Sequence, residues 1–92
     1  MKKYRIDTTH GSAETDIENI FNYIAVDSPQ NAVKWYFDVK EKIQTLDTMP
    51  ERCPVAPESR YVNFTVYHLI FGNYRILYRI EGNVVQLLYV RG

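Results

Sequence analysis

The sequence predicts an α+β fold in which a two-helix hairpin packs on an antiparallel β-sheet, in the order β-α-α-β-β-β. Three observations carry the prediction. Apolar residues recur at helical spacing from Ala13 to Leu46. From Val62 onward they alternate with polar residues, the period of a strand. Two Gly-Asn pairs, Gly72-Asn73 and Gly82-Asn83, then divide the β-rich remainder into a three-stranded meander. At 92 residues the chain reads as one domain, residues 1–92. A chain of that size buries roughly 60–65% of its unfolded surface, which allows one modest core and marginal stability.

Lys3-Tyr4-Arg5-Ile6-Asp7 alternates charged with apolar residues, as a short half-buried strand does. Thr8 to Ser12 is a connector, with Ser12 a helix N-cap and Glu14 and Asp16 in the first turn. Ala13, Ile17, Ile20, Phe21 and Ile24 form one helical stripe. Asp27-Ser28-Pro29 ends that helix and starts the next, with Ser28 as cap and Pro29 in the first turn. Ala32, Tyr36, Val39, Ile43 and Leu46, thickened by Trp35 and Phe37, predict a second helix reaching Met49. So short a joint makes the two helices antiparallel neighbours. Pro50 to Arg60 holds three prolines and no period, so it reads as an irregular crossing segment. Strands are expected at about 61–71, 74–81 and 84–91.

The turns set which side chains share a face. With Gly82 in the first central position of a type II′ turn, Ile80 faces Val85, Tyr78 faces Leu87, Ile76 faces Tyr89 and Tyr74 faces Arg91. That face takes the helices. On the other face Arg79 lies opposite Gln86, Leu77 opposite Leu88 and Arg75 opposite Val90. The Gly72-Asn73 turn places His68 opposite Leu77, Ile70 opposite Arg75 and Val66 opposite Arg79. His68, Arg75, Arg79 and Gln86 therefore form a polar set, and a one-residue slip in either turn scatters it. Val66, Ile70, Leu77, Leu88 and Val90 form an exposed apolar patch around it, suited to a partner.

Eleven Lys+Arg balance eleven Asp+Glu, so no global field draws the chain to nucleic acid. The single Cys53 cannot form an internal disulfide, and the polar N-terminus does not read as a signal peptide. No apolar run reaches the length of a membrane span. A soluble cytoplasmic protein is the expectation. Neither Cys53, with no histidine near it in sequence, nor His10 with Asp7 makes a nucleophile or metal site.

Several local strings occur in an order that resembles the RelE/ParE superfamily of toxins from type II toxin–antitoxin modules. They are Tyr23-Ile24-Ala25 with Asp27-Ser28-Pro29, Ala32 and Trp35; then Cys53-Pro54 and Ala56-Pro57-Glu58; then Gly72-Asn73-Tyr74-Arg75-Ile76-Leu77-Tyr78-Arg79-Ile80 and the closing Val90-Arg91. Together they span nearly the whole chain and look nearest to the ParE-like, plasmid-stabilisation branch. The resemblance implies a toxin held inactive by a cognate antitoxin whose C-terminal segment wraps it, with no cofactor and no metal. One branch poisons DNA gyrase and the other cleaves mRNA on the ribosome. His68 and Ile70 stand where ribonuclease members carry lysines, and Tyr67 stands near a common arginine. Val90-Arg91 is followed by Gly92 where the family usually has histidine.

These departures favour gyrase poisoning over the mRNA endoribonuclease reading, with an inactive antitoxin-binding module as a third. In the ribonuclease reading Arg75 grips the phosphate and stabilises transition-state charge, His68 moves a proton, and Arg91 assists from the family's closing motif. The plainer reading of Arg75 is pairing with an acidic group. The partner-binding set is Val66, Ile70, Leu77, Arg79, Gln86, Leu88 and Val90. Tyr74, Tyr78 and Tyr89 read as core rings and Trp35 as a core or hairpin contact, while Tyr61 and Tyr67 carry base stacking as a second reading.

Overall fold

In the computed structural model, which describes residues 2–92, the N-terminal alternation becomes a three-residue strand, β1, over Arg5–Asp7. The turn after it is organised by Asp7. Its carboxylate accepts from the Thr9 N–H (2.8 Å) and the Thr9 hydroxyl (2.6 Å), and lies 2.8 Å from His10 Nδ1. The Thr9 hydroxyl and amide, then His10, hold the Asp7 carboxyl at about 2, well below its ordinary value.

Two helices follow, α1 over Ala13–Asp27 and α2 over Pro29–Gln44. Ser28 caps α2 as expected: its hydroxyl accepts from the Asn31 N–H at 3.2 Å, with Pro29 at the first helical position. Ser12 occupies the α1 cap position, but its hydroxyl donates to Asp16 instead of accepting from the helix backbone. The second helix is shorter than its apolar stripe predicts. It stops at Gln44 and tightens into a 3₁₀ turn over Thr45–Asp47. The Tyr4 N–H takes the Asp47 carbonyl at 2.8 Å, and the Arg52 guanidinium reaches the Thr45 and Thr48 carbonyls and the Thr45 hydroxyl. Carbonyls that a longer helix would satisfy internally are satisfied from outside.

The meander comprises β2 (Tyr67–Phe71), β3 (Tyr74–Glu81) and β4 (Val84–Arg91), and the sheet order is β1-β4-β3-β2. β1 lies parallel to β4, and the other pairs are antiparallel. Gly72 and Gly82 have φ of 59° and 61°, while Asn73 and Asn83 have negative φ, the signature of a type II′ turn. The first strand of the meander begins later than the alternation predicts. Pro57–Tyr61 forms a 3₁₀ helix, and the Ser59 hydroxyl accepts from the Val66 N–H (2.8 Å) and donates to its carbonyl (3.0 Å). The Ser59 hydroxyl takes the Val66 N–H and shares that residue's carbonyl with the Ala56 N–H, in place of a neighbouring strand.

The β3–β4 register agrees with the expectation from Glu81↔Val84 to Tyr78↔Leu87 and then shifts. Leu77 pairs with Tyr89, Ile76 with Val90 and Arg75 with Arg91, correcting the expected Leu77–Leu88, Ile76–Tyr89, Arg75–Val90 and Tyr74–Arg91 pairs. The extra residue is Leu88, a β-bulge. Its cause is the start of α1. Beyond Asp7 the β4 edge has no strand beside it, and the Ser12 N–H donates to the Leu88 carbonyl (2.8 Å) while Asp16 accepts from the Val90 N–H (2.9 Å). The edge is closed by a helix terminus.

The main core lies between sheet and hairpin: Ala13, Ile17, Val39, Ile43 and Leu46 against Leu69, Ile76, Tyr78, Val85, Leu87 and Val90. The buried Tyr78 hydroxyl donates to the Pro50 carbonyl, and burial pushes its phenol up. Trp35 packs against the main core, meeting Tyr74 of β3 edge-to-face with ring centres 5.6 Å apart. A second, smaller core sits on the opposite face of the sheet. There Ala56, Val66 and Leu77 are buried beside Phe64, Leu88 and Tyr89. The chain crosses this face through a Val55–Tyr67 bridge and Ala56 N–H to Val66 carbonyl bond of 2.7 Å.

Candidate functional site

Alternation along β3 turns Arg75, Leu77 and Arg79 away from the helices, onto the face crossed by residues 53–66. His68 pairs with Leu77 on one side, and Arg91 is the β4 partner of Arg75 on the other. His68, Arg75 and Arg91 are thus assembled on adjacent strand positions.

Their contacts were not legible in the strands themselves. The Arg75 guanidinium donates to both carboxylate oxygens of Glu58, Nη1 to Oε1 at 3.2 Å and Nη2 to Oε2 at 2.6 Å. Both side chains are a little under one-third exposed. Nη1 also lies 3.2 Å from His68 Nδ1. An arginine N–H only donates, so this contact makes Nδ1 the acceptor and places the ring proton on Nε2. The hydrogen bonds from Arg75 hold the Glu58 carboxyl at about 2, and Glu58 in turn pushes the arginine up. Glu58 sits in the first turn of the 3₁₀ segment, directly after Pro57. Its sequence signals are an acidic residue following a proline in the segment before β2 and its place in the Ala56-Pro57-Glu58 string.

The remaining members of the predicted set divide. Arg91 is exposed and stacks its guanidinium on Tyr89, 4.7 Å from the ring centre. Arg79 pairs with Gln86 across the ladder, stacks on Phe64 at 4.1 Å and meets Glu81 at 2.9 Å. Its buried Nε has no hydrogen-bond partner among the described residues. The polar set is therefore two clusters, His68–Arg75–Glu58 and Arg79–Gln86–Glu81, rather than one.

The expected apolar patch is mostly closed. Leu77 and Val66 are buried beneath residues 53–66, and Val90 is buried against the helices because the bulge reverses its side. Tyr89, expected in the main core, is reversed outward by the same bulge. Leu88, Arg79 and Gln86 remain half-exposed, and Ile70 is exposed. The largest exposed rings lie elsewhere: Tyr61 at the end of the 3₁₀ segment, and Tyr23, Tyr36 and Phe37 on the hairpin. Phe37, counted with the second helix's core stripe, is 65% exposed. Tyr67 is a core-edge ring stacked on Tyr78. Among the described residues no group of three or more His, Cys, Asp or Glu side chains is disposed to hold a metal ion, and no helix is long and apolar enough to cross a membrane.

Comparison with known proteins adds two findings. A family model described as the ParE toxin of type II toxin–antitoxin systems, parDE, matches residues 8–92. A solved structure described as a chromosomal ParDE toxin–antitoxin system from P. aeruginosa superimposes with a TM-score of 0.76 at 20% identity, covering 98% of this chain and 96% of that one. It shows the same fold. No curated protein matches the sequence.

Proposed function

From the premise that the chain belongs to the ParE toxin family of type II toxin–antitoxin systems, we propose that it arrests growth by binding and poisoning DNA gyrase in the cytoplasm, and that a cognate antitoxin neutralises it. The observation that favours a binding inhibitor is the Glu58–Arg75–His68 cluster. A ribonuclease needs a guanidinium free to meet a phosphate and an imidazole free to move a proton. Here the guanidinium already serves two carboxylate oxygens, and one imidazole nitrogen is taken by the same arginine. Separating a short bidentate pair to admit an anion opposes substrate binding at the outset.

The antitoxin's segment lies along what stays open of the outer sheet face, Ile70, Arg79, Gln86 and Leu88, with Val66 and Leu77 supporting from beneath, while Val90, turned to the helices, falls outside it. An Ile70→Asp variant is expected to lose co-purification with the antitoxin while keeping its thermal melt, since Ile70 is exposed and lies on the edge strand β2.

Controlled expression in bacterial cells, scored in parallel for chromosomal double-strand breaks and for mRNA cleavage, tests the target. Breaks without cleavage support gyrase poisoning. Cleavage without breaks returns the ribonuclease reading, which the adjacency of His68, Arg75 and Arg91 favours. Growth unaffected by either leaves an inactive antitoxin-binding module.

A further inference from the structure

At the Arg75 end, the outer face of the sheet sets two guanidiniums against one carboxylate. Arg75 on β3 and Arg91 on β4 are directly paired across the ladder. Like charges so placed destabilise a sheet unless something neutralises them. Glu58 neutralises Arg75, whereas Arg91 enters no ion pair among the described residues and rests on the Tyr89 ring. The bulge at Leu88 makes this arrangement. Without the extra residue Arg91 would oppose Tyr74 on the helix side, and Tyr89 would not be turned outward beneath it.

The main chain on either side of Glu58 is held without its side chain. The Ala56 N–H donates to the Val66 carbonyl, and the Ser59 hydroxyl accepts from the Val66 N–H. From that fixed backbone the carboxylate meets the end of the Arg75 guanidinium with both oxygens, at 3.2 and 2.6 Å. A guanidinium fork meets two phosphate oxygens in the same way. His68 Nδ1 takes a further N–H of Arg75 at 3.2 Å, which leaves the Nε2–H of the ring as another donor. A carboxylate delivered by the chain itself acts at an effective concentration that a dissolved anion must exceed to replace it.

We propose that Glu58 is a tethered occupant of a phosphate seat formed by Arg75, Arg91 and His68, and that it keeps the seat closed in the resting protein. The inference rests on the same contact as the reading above, in which Glu58 bars the guanidinium from a phosphate, and not on the identity of the target. Arg75 supplies the fork, Arg91 the second positive charge, and His68 an N–H. With Glu58 in place one negative charge already answers the fork, and a second anion meets it at close range. With Glu58 withdrawn, two guanidiniums face each other unopposed and a phosphate group relieves both.

Inorganic phosphate titrated into the full-length chain at constant ionic strength, followed through the Arg75 and Arg91 Nε–H signals by NMR, tests this. Glu58→Ala should bind phosphate at least about tenfold more tightly than the parent, the worth of one charge-assisted contact. Adding Arg91→Gln to Glu58→Ala should remove most of that gain. Should Glu58→Ala fail to fold, Glu58→Gln keeps the shape without the charge and should show the gain in smaller measure. A short single-stranded DNA titrated alongside identifies the source of the phosphate. Binding at least as tight as inorganic phosphate assigns the seat to a nucleic-acid backbone, and weaker binding assigns it to a free phosphate group. Equal phosphate affinity in parent and variant overturns the proposal, as does a gain that survives Arg91→Gln undiminished. Gyrase takes no part in the titration, so either this result or the DNA-break assay can fail with the other intact.

Discussion

Arg75 on β3 and Glu58, seventeen residues earlier in a 3₁₀ turn, form a two-pronged ion pair whose shorter arm is 2.6 Å. The pair ties the crossing segment to the sheet above the buried Leu77, so its first consequence is mechanical. Glu58→Gln keeps the shape but leaves the arginine a neutral acceptor. The expected cost is about 1 kcal/mol, which for a domain of this size lowers the melting temperature by roughly 4–8 °C. Thermal melts of the two proteins at neutral pH check it; an unchanged melt would show that the crossing segment is held by its apolar contacts alone.

The same carboxylate sets an acid limit. Glu58 is held at about 2 against an ordinary 4.5, and Asp7 at about 2 against 3.8. A carboxyl with a lowered folded-state pKa binds its proton more readily in the unfolded chain. Its stabilisation is therefore complete above the ordinary value and is lost as pH falls towards 2. Melting temperature should be flat above about pH 5 and decline between about pH 4.5 and 2. The decline should be shallower in Glu58→Gln, with the remainder carried by Asp7.

Gly11 marks the contact that makes the bulge. A methyl group there would collide with the Leu88 carbonyl, which accepts from the neighbouring Ser12 N–H. Gly11 does not lie in the left-handed region, so the steric contact alone decides the outcome. Gly11→Ala should destabilise by about 1–3 kcal/mol, the usual cost of forced overpacking. Hydrogen exchange at Ser12 and Val90 should accelerate in the variant; protection retained at both would contradict this account of the bulge.

Gyrase poisoning requires no proton transfer by His68. His68→Ala and Arg75→Gln should therefore keep growth arrest and DNA breaks within about threefold of the parent once expression is matched, a spread below 1 kcal/mol. A ribonuclease would behave differently: Arg75→Gln would lose on the order of a hundredfold through its missing phosphate contact, and His68→Ala less. Plating efficiency with each variant, alongside break and cleavage assays, separates the cases.

Local rules carried the reading of this chain a long way. Helical period, the Ser28-Pro29 joint and two Gly-Asn turns are properties of a few neighbouring residues, and they determined the hairpin, the meander and the register from Glu81↔Val84 to Tyr78↔Leu87. They also brought His68 and Arg75 to one face, and the ordered strings indicated the family. What they did not determine depends on groups distant in sequence. The bulge at Leu88 exists because the start of α1 reaches the bare edge of β4, and it turns Tyr89 outward and Val90 inward against a perfect alternation. The late start of β2 depends on Ser59 and Ala56 together satisfying the backbone groups of Val66. The state of Arg75 was decided by Glu58, because nothing in the period of β3 records which carboxylate a crossing segment will lay over it. Hydrogen-bond satisfaction of an edge and neutralisation of a half-buried charge are conditions on the assembled molecule, and only the tertiary structure meets them.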